Sequence, residues 1–399
     1  MLKKIVLSAV VLGIVTASLS AQNKKGPRSG YEFETISDLK TTPVKDQQGV
    51  GTCWSYATIS FLESELLRMG KPEYNLSELF IARNAYLEKG IRFVQFHGKN
   101  NFSEGGQAHD VIYMIKKYGI VPESVYTGLQ YGRNEHIHSE LVAALEGLLE
   151  GVNKNPNRRL TPVWRTGFAR YIDTYLGEVP EKFTYDGKEY TPQTFTESLG
   201  LKLDDYVELT SYEAYPFYQP VEVPVPDNWA HERYYNLPID ELMEVMNNAL
   251  KNGYTVCWDG DVSHKGFSHG CGLALLPTNV PSEMINLEIS KWETLSKNEQ
   301  ENKLRSFESP VPEMKITDAD RQFKFDNRQT TDDHLMHITG LLKDQYGTLY
   351  YKTKNSWNSD SNTLGGYLYM SNAYCRLQTV AIMVHKDAIP KAIRRKLGL

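Results

Sequence analysis

"DQQGVGTCWSYATISFLESELLRMG", residues 46 to 70, sets Cys53 six positions after Gln47, at the point where the chain turns helical. No proline or glycine follows Cys53 until Gly70. Trp54, Ala57 and Phe61 form one apolar stripe and Ile59, Leu62 and Leu66 a second, which predicts a helix buried on several sides. Cys53 has three readings: a packing thiol, half of a disulfide, or a nucleophile. A thiol at a helix start feels the positive end of the helix dipole, which favours the thiolate. Gln47 is placed to turn its amide toward the same point, where with the Cys53 N–H it would make an oxyanion hole. Trp54 either covers this site or packs.

Working outward, 399 residues can bury a large core in one big domain or several lobes. A net charge of −5 argues against a nucleic-acid partner, which needs a basic face. At the N-terminus, Lys3 and Lys4 precede an uncharged apolar run from Ile5 to Leu19 and then "SLSAQ", the pattern of a signal peptide ending near Ala21. No other stretch reads as a membrane span, so the expectation is an exported protein, periplasmic or secreted. Cys53, Cys257, Cys271 and Cys375 are the only cysteines. A Cys257–Cys271 bridge is an option, and buried free thiols are the preferred expectation.

The chain divides into a leader (1–21), a helical lobe with the nucleophile (22–126), an inserted, mainly helical subdomain (127–250) and a β-rich lobe (251–399). "NLSELFIARNAYLEKG" reads as a second helix capped by Ser77 or Asn75, and "SEGGQAHDVIYMIKKYG" as a third, entered through Gly105 and Gly106. From Gly253, short β-rich runs ("YTVCWDGDV", "MHITGLLKD", "LYYKTKNSW", "GGYLYMS") follow, broken by a polar excursion at 285–310. Helices first and strands later define an α+β chain of two unlike lobes.

A thiol nucleophile needs an imidazole and a group to orient it. "DDHLMHITG" offers His334 and His337, and His337 is chosen because an apolar strand-like run follows it directly, which would fix the ring at a strand start. His334 is assigned to the preceding loop. Asn355 can accept from one imidazole nitrogen and leave the other facing the thiol, with Trp357 shielding that bond from water. Asp259 and Asp261 in "WDGDV" either bind a substrate amine or cap a strand end. Gly105 and Gly106 either let a substrate backbone approach or form a turn. His264, His269 and Cys271 match no zinc spacing, so no metal or other cofactor is assigned. His136 and His138 are expected to be solvated.

Gln47 with Cys53-Trp54, a histidine at a strand start, and "KNSW" followed by "GGY" resemble papain-like cysteine peptidases. "KYGIVPESVY", the long insertion and the C-terminal extension resemble the bleomycin hydrolase/aminopeptidase C branch. The resemblance implies a two-lobe papain-like fold with a β-barrel-like second lobe. It also implies catalysis by Cys53, His337, Asn355 and Gln47 on peptide substrates, without a cofactor, and assembly into a homo-oligomer (a hexamer). It further implies a C-terminal arm lying in the cleft, whose carboxylate meets the substrate's amino terminus. Three departures stand out: Val50 replaces the family's first cysteine, Met336 stands where an aspartate often precedes the histidine, and 284 residues separate Cys53 from His337. Ordinary papain-like spacing is about 130–150 residues, and the insertion accounts for the excess. Rival readings are a non-catalytic peptide-binding protein on the same fold, an endopeptidase, and an acyl or amide transferase using the same triad.

Overall fold

The structure, a computed structural model, describes residues 30–157, 159–278, 296–299 and 306–399. The expected leader and most of the polar excursion at 285–310 lie outside the described residues. In chain order the first elements are β1 (Phe33–Asp38), α1 (Cys53–Arg68), α2 (Glu78–Gln95), α3 (Ala108–Tyr118), α4 (Ser139–Asn153) and α5 (Val163–Leu176). A small hairpin of β2 (Phe183–Tyr185) and β3 (Lys188–Tyr190) leads to α6 (Pro192–Leu199). Then come β4 (Tyr206–Thr210), β5 (Pro220–Glu222), β6 (Arg233–Asn236), α7 (Ile239–Lys251), β7 (Val256–Gly260), β8 (Phe267–Ser268) and β9 (Leu273–Ala274). The chain closes with α8 (Asp318–Asp326), β10 (His334–Asp344), β11 (Leu349–Lys354), β12 (Tyr367–Ser371), α9 (Asn372–Gln378), β13 (Thr379–His385) and α10 (Lys391–Leu397).

Both stripes of α1 are buried because the helix runs between the lobes. Its polar residues are therefore paired rather than solvated: Ser55 Oγ donates to Glu78 O at 2.9 Å, and Glu63 accepts from Thr42 Oγ1 at 2.6 Å and from the Leu76 N–H at 2.9 Å. Ser77 caps α2 by accepting from the Phe80 N–H, and Gln107 with Asp110 makes a capping box on α3. One core joins α1–α6; a second fills the far side of the sheet under α7.

The β-rich lobe is built on one sheet in the order β5-β6-β4-β13-β7-β10-β11-β12-β9-β8, with β1 also pairing β10. The path is open at β5 and β8, so there is no closed barrel among the described residues. Residues 206–251 do not belong to a separate helical insertion: β4 pairs β13, β6 pairs β4, and α7 lies on the sheet. Strand alternation divides β10 between two faces. Leu335 packs in the core containing α1, and Met336 and Ile338 pack in the core containing α7.

The C-terminal segment departs most from expectation. Pro390 precedes a helix rather than an arm lying in the cleft. Ile393 and Leu397 of α10 are buried in the core that also holds α7, and Lys396 pairs with Glu241 of α7 at 2.5 Å. This segment lies on the sheet face opposite α1, outside the Cys53 groove.

Candidate active site

All four cysteines are free thiols. Cys53 is the first residue of α1, whose start carries no side-chain cap; the Ser55 N–H turns back to Thr52 O at 2.9 Å. The Cys53 thiol lies against the start of β10 and takes the Leu335 backbone N–H. The neighbouring residue, His334, donates from Nε2 to Asn355 Oδ1 at 2.8 Å. In a neutral imidazole the other nitrogen, Nδ1, is then the acceptor. The Trp357 ring lies tilted by 32° against the His334 ring with centroids 4.8 Å apart, beside the His–Asn bond.

His334, not His337, therefore faces Asn355. Strand β10 begins at His334, paired with Gly260, three residues earlier than the apolar run suggested. His337 points into the lobe interface. Lys354 Nζ donates to Ser60 Oγ at 2.7 Å, and Ser60 in turn meets His337 Nδ1 at 2.9 Å. Ser60 thus engages His337 Nδ1, and the fully buried ring has no exposure to the groove. Asp333 also precedes His334, matching the Asp-His pattern that His337 lacks.

Gln47 is tied into the same frame. Its Nε2 donates to Val50 O at 2.7 Å, its Oε1 accepts from Ser356 Oγ at 2.6 Å, and its backbone N–H donates to Ser356 O at 2.8 Å. Ser356 also donates its N–H to Asn355 Oδ1 at 2.8 Å, so one residue fixes both amides. Asn355 Nδ2 donates to His269 Nδ1 at 3.3 Å, and His269 Nε2 meets Ser361 Oγ at 2.7 Å. Sequence reasoning missed Ser356 and His269. "KNSW" held the first signal; His269 had none, because only the fold brings 269 to 355.

Trp54 is fully buried and donates from Nε1 to Glu104 O at 3.0 Å, so it packs under the groove. A Cβ on Gly106 would meet Trp54 Cε2 at 2.9 Å, and one on Gly105 would overlap the Asp227 carboxylate. Asp261 accepts from the Ser263 N–H and Oγ, both at 2.8 Å, and from the Thr331 N–H at 2.9 Å, so it caps a turn. Asp259 is buried beside Cys53. His136 and His138 are buried rather than solvated, and His138 Nδ1 meets the Tyr86 hydroxyl at 2.9 Å. No group of three or more potential metal-binding side chains occurs among the described residues, and no helix there is long and apolar enough to cross a membrane.

Burial pushes the Cys53 thiol up to about 12; the Leu335 N–H opposes this, and the carboxyls of Asp332, Asp259 and Asp227 add to it. Burial also pulls His334 down to about 4, with Asn355 opposing. Burial thus favours a neutral thiol and a neutral imidazole, the reverse of what the helix dipole alone predicts.

An uncapped helix start, a thiol on it and an Asn-oriented imidazole beside it define a papain-like cysteine peptidase. The chain belongs to the Peptidase C1-like family, which matches residues 3–304 and 307–398. It is 25% identical over 399 residues to aminopeptidase C of Streptococcus thermophilus, covering 89% of this chain and 83% of that protein. It is 22% identical to bleomycin hydrolase of Gallus gallus, covering 90% of this chain and 84% of that protein. Its fold is similar to the crystal structure of PepW from Lactobacillus rhamnosis, with a TM-score of 0.70, 21% identity, and coverage of 92% and 84% of the two chains.

Proposed function

We propose that the chain removes the N-terminal residue from peptides through an acyl-thioenzyme on Cys53. As Sγ attacks the scissile carbonyl carbon, His334 Nδ1 takes the thiol proton. The oxyanion that forms faces the Cys53 N–H and the second N–H of the Gln47 amide. Collapse breaks the C–N bond, and His334 returns the proton to the leaving amine. Water then attacks the thioester with His334 again as base, releasing the acid and restoring the thiol. Asn355 holds the ring's tautomer throughout.

The observation that carries this reading is the His334–Asn355 bond beside a thiol at an uncapped helix start. The relatives' names, aminopeptidase C and bleomycin hydrolase, support the restriction to peptide ends. An epoxide inhibitor of thiol peptidases should label Cys53 alone, and Cys53→Ala should abolish cleavage of fluorogenic aminoacyl amides while keeping the fold. Retention of more than a few per cent of turnover would remove Cys53 from the chemistry. Export through residues 1–21 belongs to the same proposal and is checked by N-terminal sequencing of the mature protein. The homo-oligomer that the family resemblance implies is checked by its mass in solution.

A further inference from the structure

Asp259 is a carboxyl buried near Cys53 that no N–H, hydroxyl or cation of the described residues reaches. It leaves β7 on the same face as Cys257, whose thiol meets Thr58 Oγ1 of α1 at 3.5 Å. Across the ladder it pairs with Leu335, the residue whose N–H reaches the Cys53 thiol. Its side chain is only 3% exposed, and neither oxygen meets an N–H, a hydroxyl or a cation among the described residues; its side-chain partner is the carboxyl of Asp332, with which it shares a proton. Asp261, two residues on, has several donors, so the lack is particular to Asp259. A buried carboxyl paired only with another carboxyl is held in its protonated form, and a cationic ligand carrying N–H groups would favour the carboxylate there.

Two further carboxyls close around it. Asp332, which faces Asp259, accepts from Gln107 Nε2 at 2.6 Å. Asp227 accepts from Asn101 Nδ2 at 3.0 Å and Ser103 Oγ at 3.2 Å, and rests directly on the Gly105 backbone. It comes from the loop between β5 and β6, which is pinned by Trp229 Nε1 to Asp110 Oδ2 at 2.7 Å and by Arg92 to Ala230 O at 2.7 Å. Lys89 spends its ammonium on the carbonyls of Ser103 and Gly105, and His109 pairs with Glu208 at 2.6 Å. Neither cation pairs with Asp259.

We propose that Asp259, Asp332 and Asp227 form the pocket for the free α-ammonium of the substrate, and that the Asp227 loop closes the groove behind it. The proposal rests on the peptidase reading above and deepens it. In an aminopeptidase the attacked carbonyl carbon and the α-amino nitrogen share one Cα, so the ammonium must sit within a few bond lengths of Sγ. These three carboxyls are the ones whose charge burdens the Cys53 thiolate. The C-terminal segment packs with α7 on the opposite sheet face.

The test compares kcat/KM on aminoacyl and N-acetyl-aminoacyl fluorogenic amides for the wild type, Asp259→Asn and Asp227→Asn. Each substitution should lower the free-to-blocked ratio on the order of tenfold to a hundredfold. Asp259→Asn should also hold Tm, because burial keeps the Asp259 carboxyl protonated and the amide is its neutral isostere; a structural carboxylate would lower it. If Asp259→Asn does not fold, Asp227→Asn carries the test, since that side chain is half-buried. A ratio unchanged in the folded variants, or equal loss on both substrates, overturns the pocket. Calorimetry on Cys53→Ala, with a free and an N-acetylated dipeptide, separates the two ideas. If no peptide is cleaved by the wild type, the peptidase reading fails, yet free-peptide binding that weakens tenfold or more with added Asp227→Asn still upholds the pocket. Equal binding of both dipeptides overturns it.

Discussion

At the scale of the residue, two histidines three positions apart have opposite environments. Nε2 of His334 is spent on Asn355 and its ring lies against Trp357, so one nitrogen remains for proton transfer. His337 is locked by Ser60 and sits edge-on to Phe61 with centroids 6.1 Å apart. His334→Ala should therefore cut kcat/KM on the order of a thousandfold with little change in Tm. His337→Ala should do the reverse, keeping most turnover per folded molecule and losing roughly 2–4 kcal/mol of stability through the cavity it leaves. Asn355→Ala should cost less than His334→Ala, since it frees the ring without removing the base. Rates normalised by titration of active thiols, with Tm measured alongside, check the set; a dead but stable His337→Ala would return the base to 337.

At the scale of the element, legibility tracked how local the deciding interaction was. The nucleophile helix was readable because its two stripes, its glycine stop and the absence of proline are properties of one segment. The start of β10 was not, because Thr331-Asp332-Asp333 reads as a turn. What extends the strand back to His334 is pairing with Gly260, 74 residues away in sequence. The same limit hid β4 and β6, short strands that exist only through pairing, β4 with β13 and β6 with β4. At the C-terminus, what makes 391–397 a helix on the sheet rather than an arm in the cleft is the burial of Ile393 and Leu397, again a non-local contact. That placement gives a prediction: deleting residues 391–399 should lower Tm by several degrees, because two buried side chains are lost, while the preference for free over blocked amines stays as in the full chain. A preference that vanishes with the deletion, in protein that still folds, would return the selector to the tail.

At the scale of the whole molecule, the fold keeps several ionisable groups neutral, and stability should carry their signature. Burial pulls His334 down to about 4 and His138 to about 3, and holds His337 well below the ordinary imidazole range. Each of these binds a proton more readily in the unfolded chain, so each contributes stability at neutral pH that is lost as pH falls below about 6.5. Buried carboxyls act oppositely: burial lifts Glu313 to about 7 and Asp332 to about 7, so the folded state holds their protons longer and loses stability as pH rises from about 4 toward 7. The two families offset, which makes the slope of the intact protein a poor readout and the difference between variants a good one. His138 is the cleanest probe, since it sits before α4 against the Tyr86 hydroxyl and away from the thiol. His138→Gln can keep that contact without titrating. Between pH 6.5 and 4 the wild type should lose on the order of 3 kcal/mol relative to the variant, read from urea midpoints at each pH. Parallel curves would mean that His138 is protonated in the native state near its ordinary value.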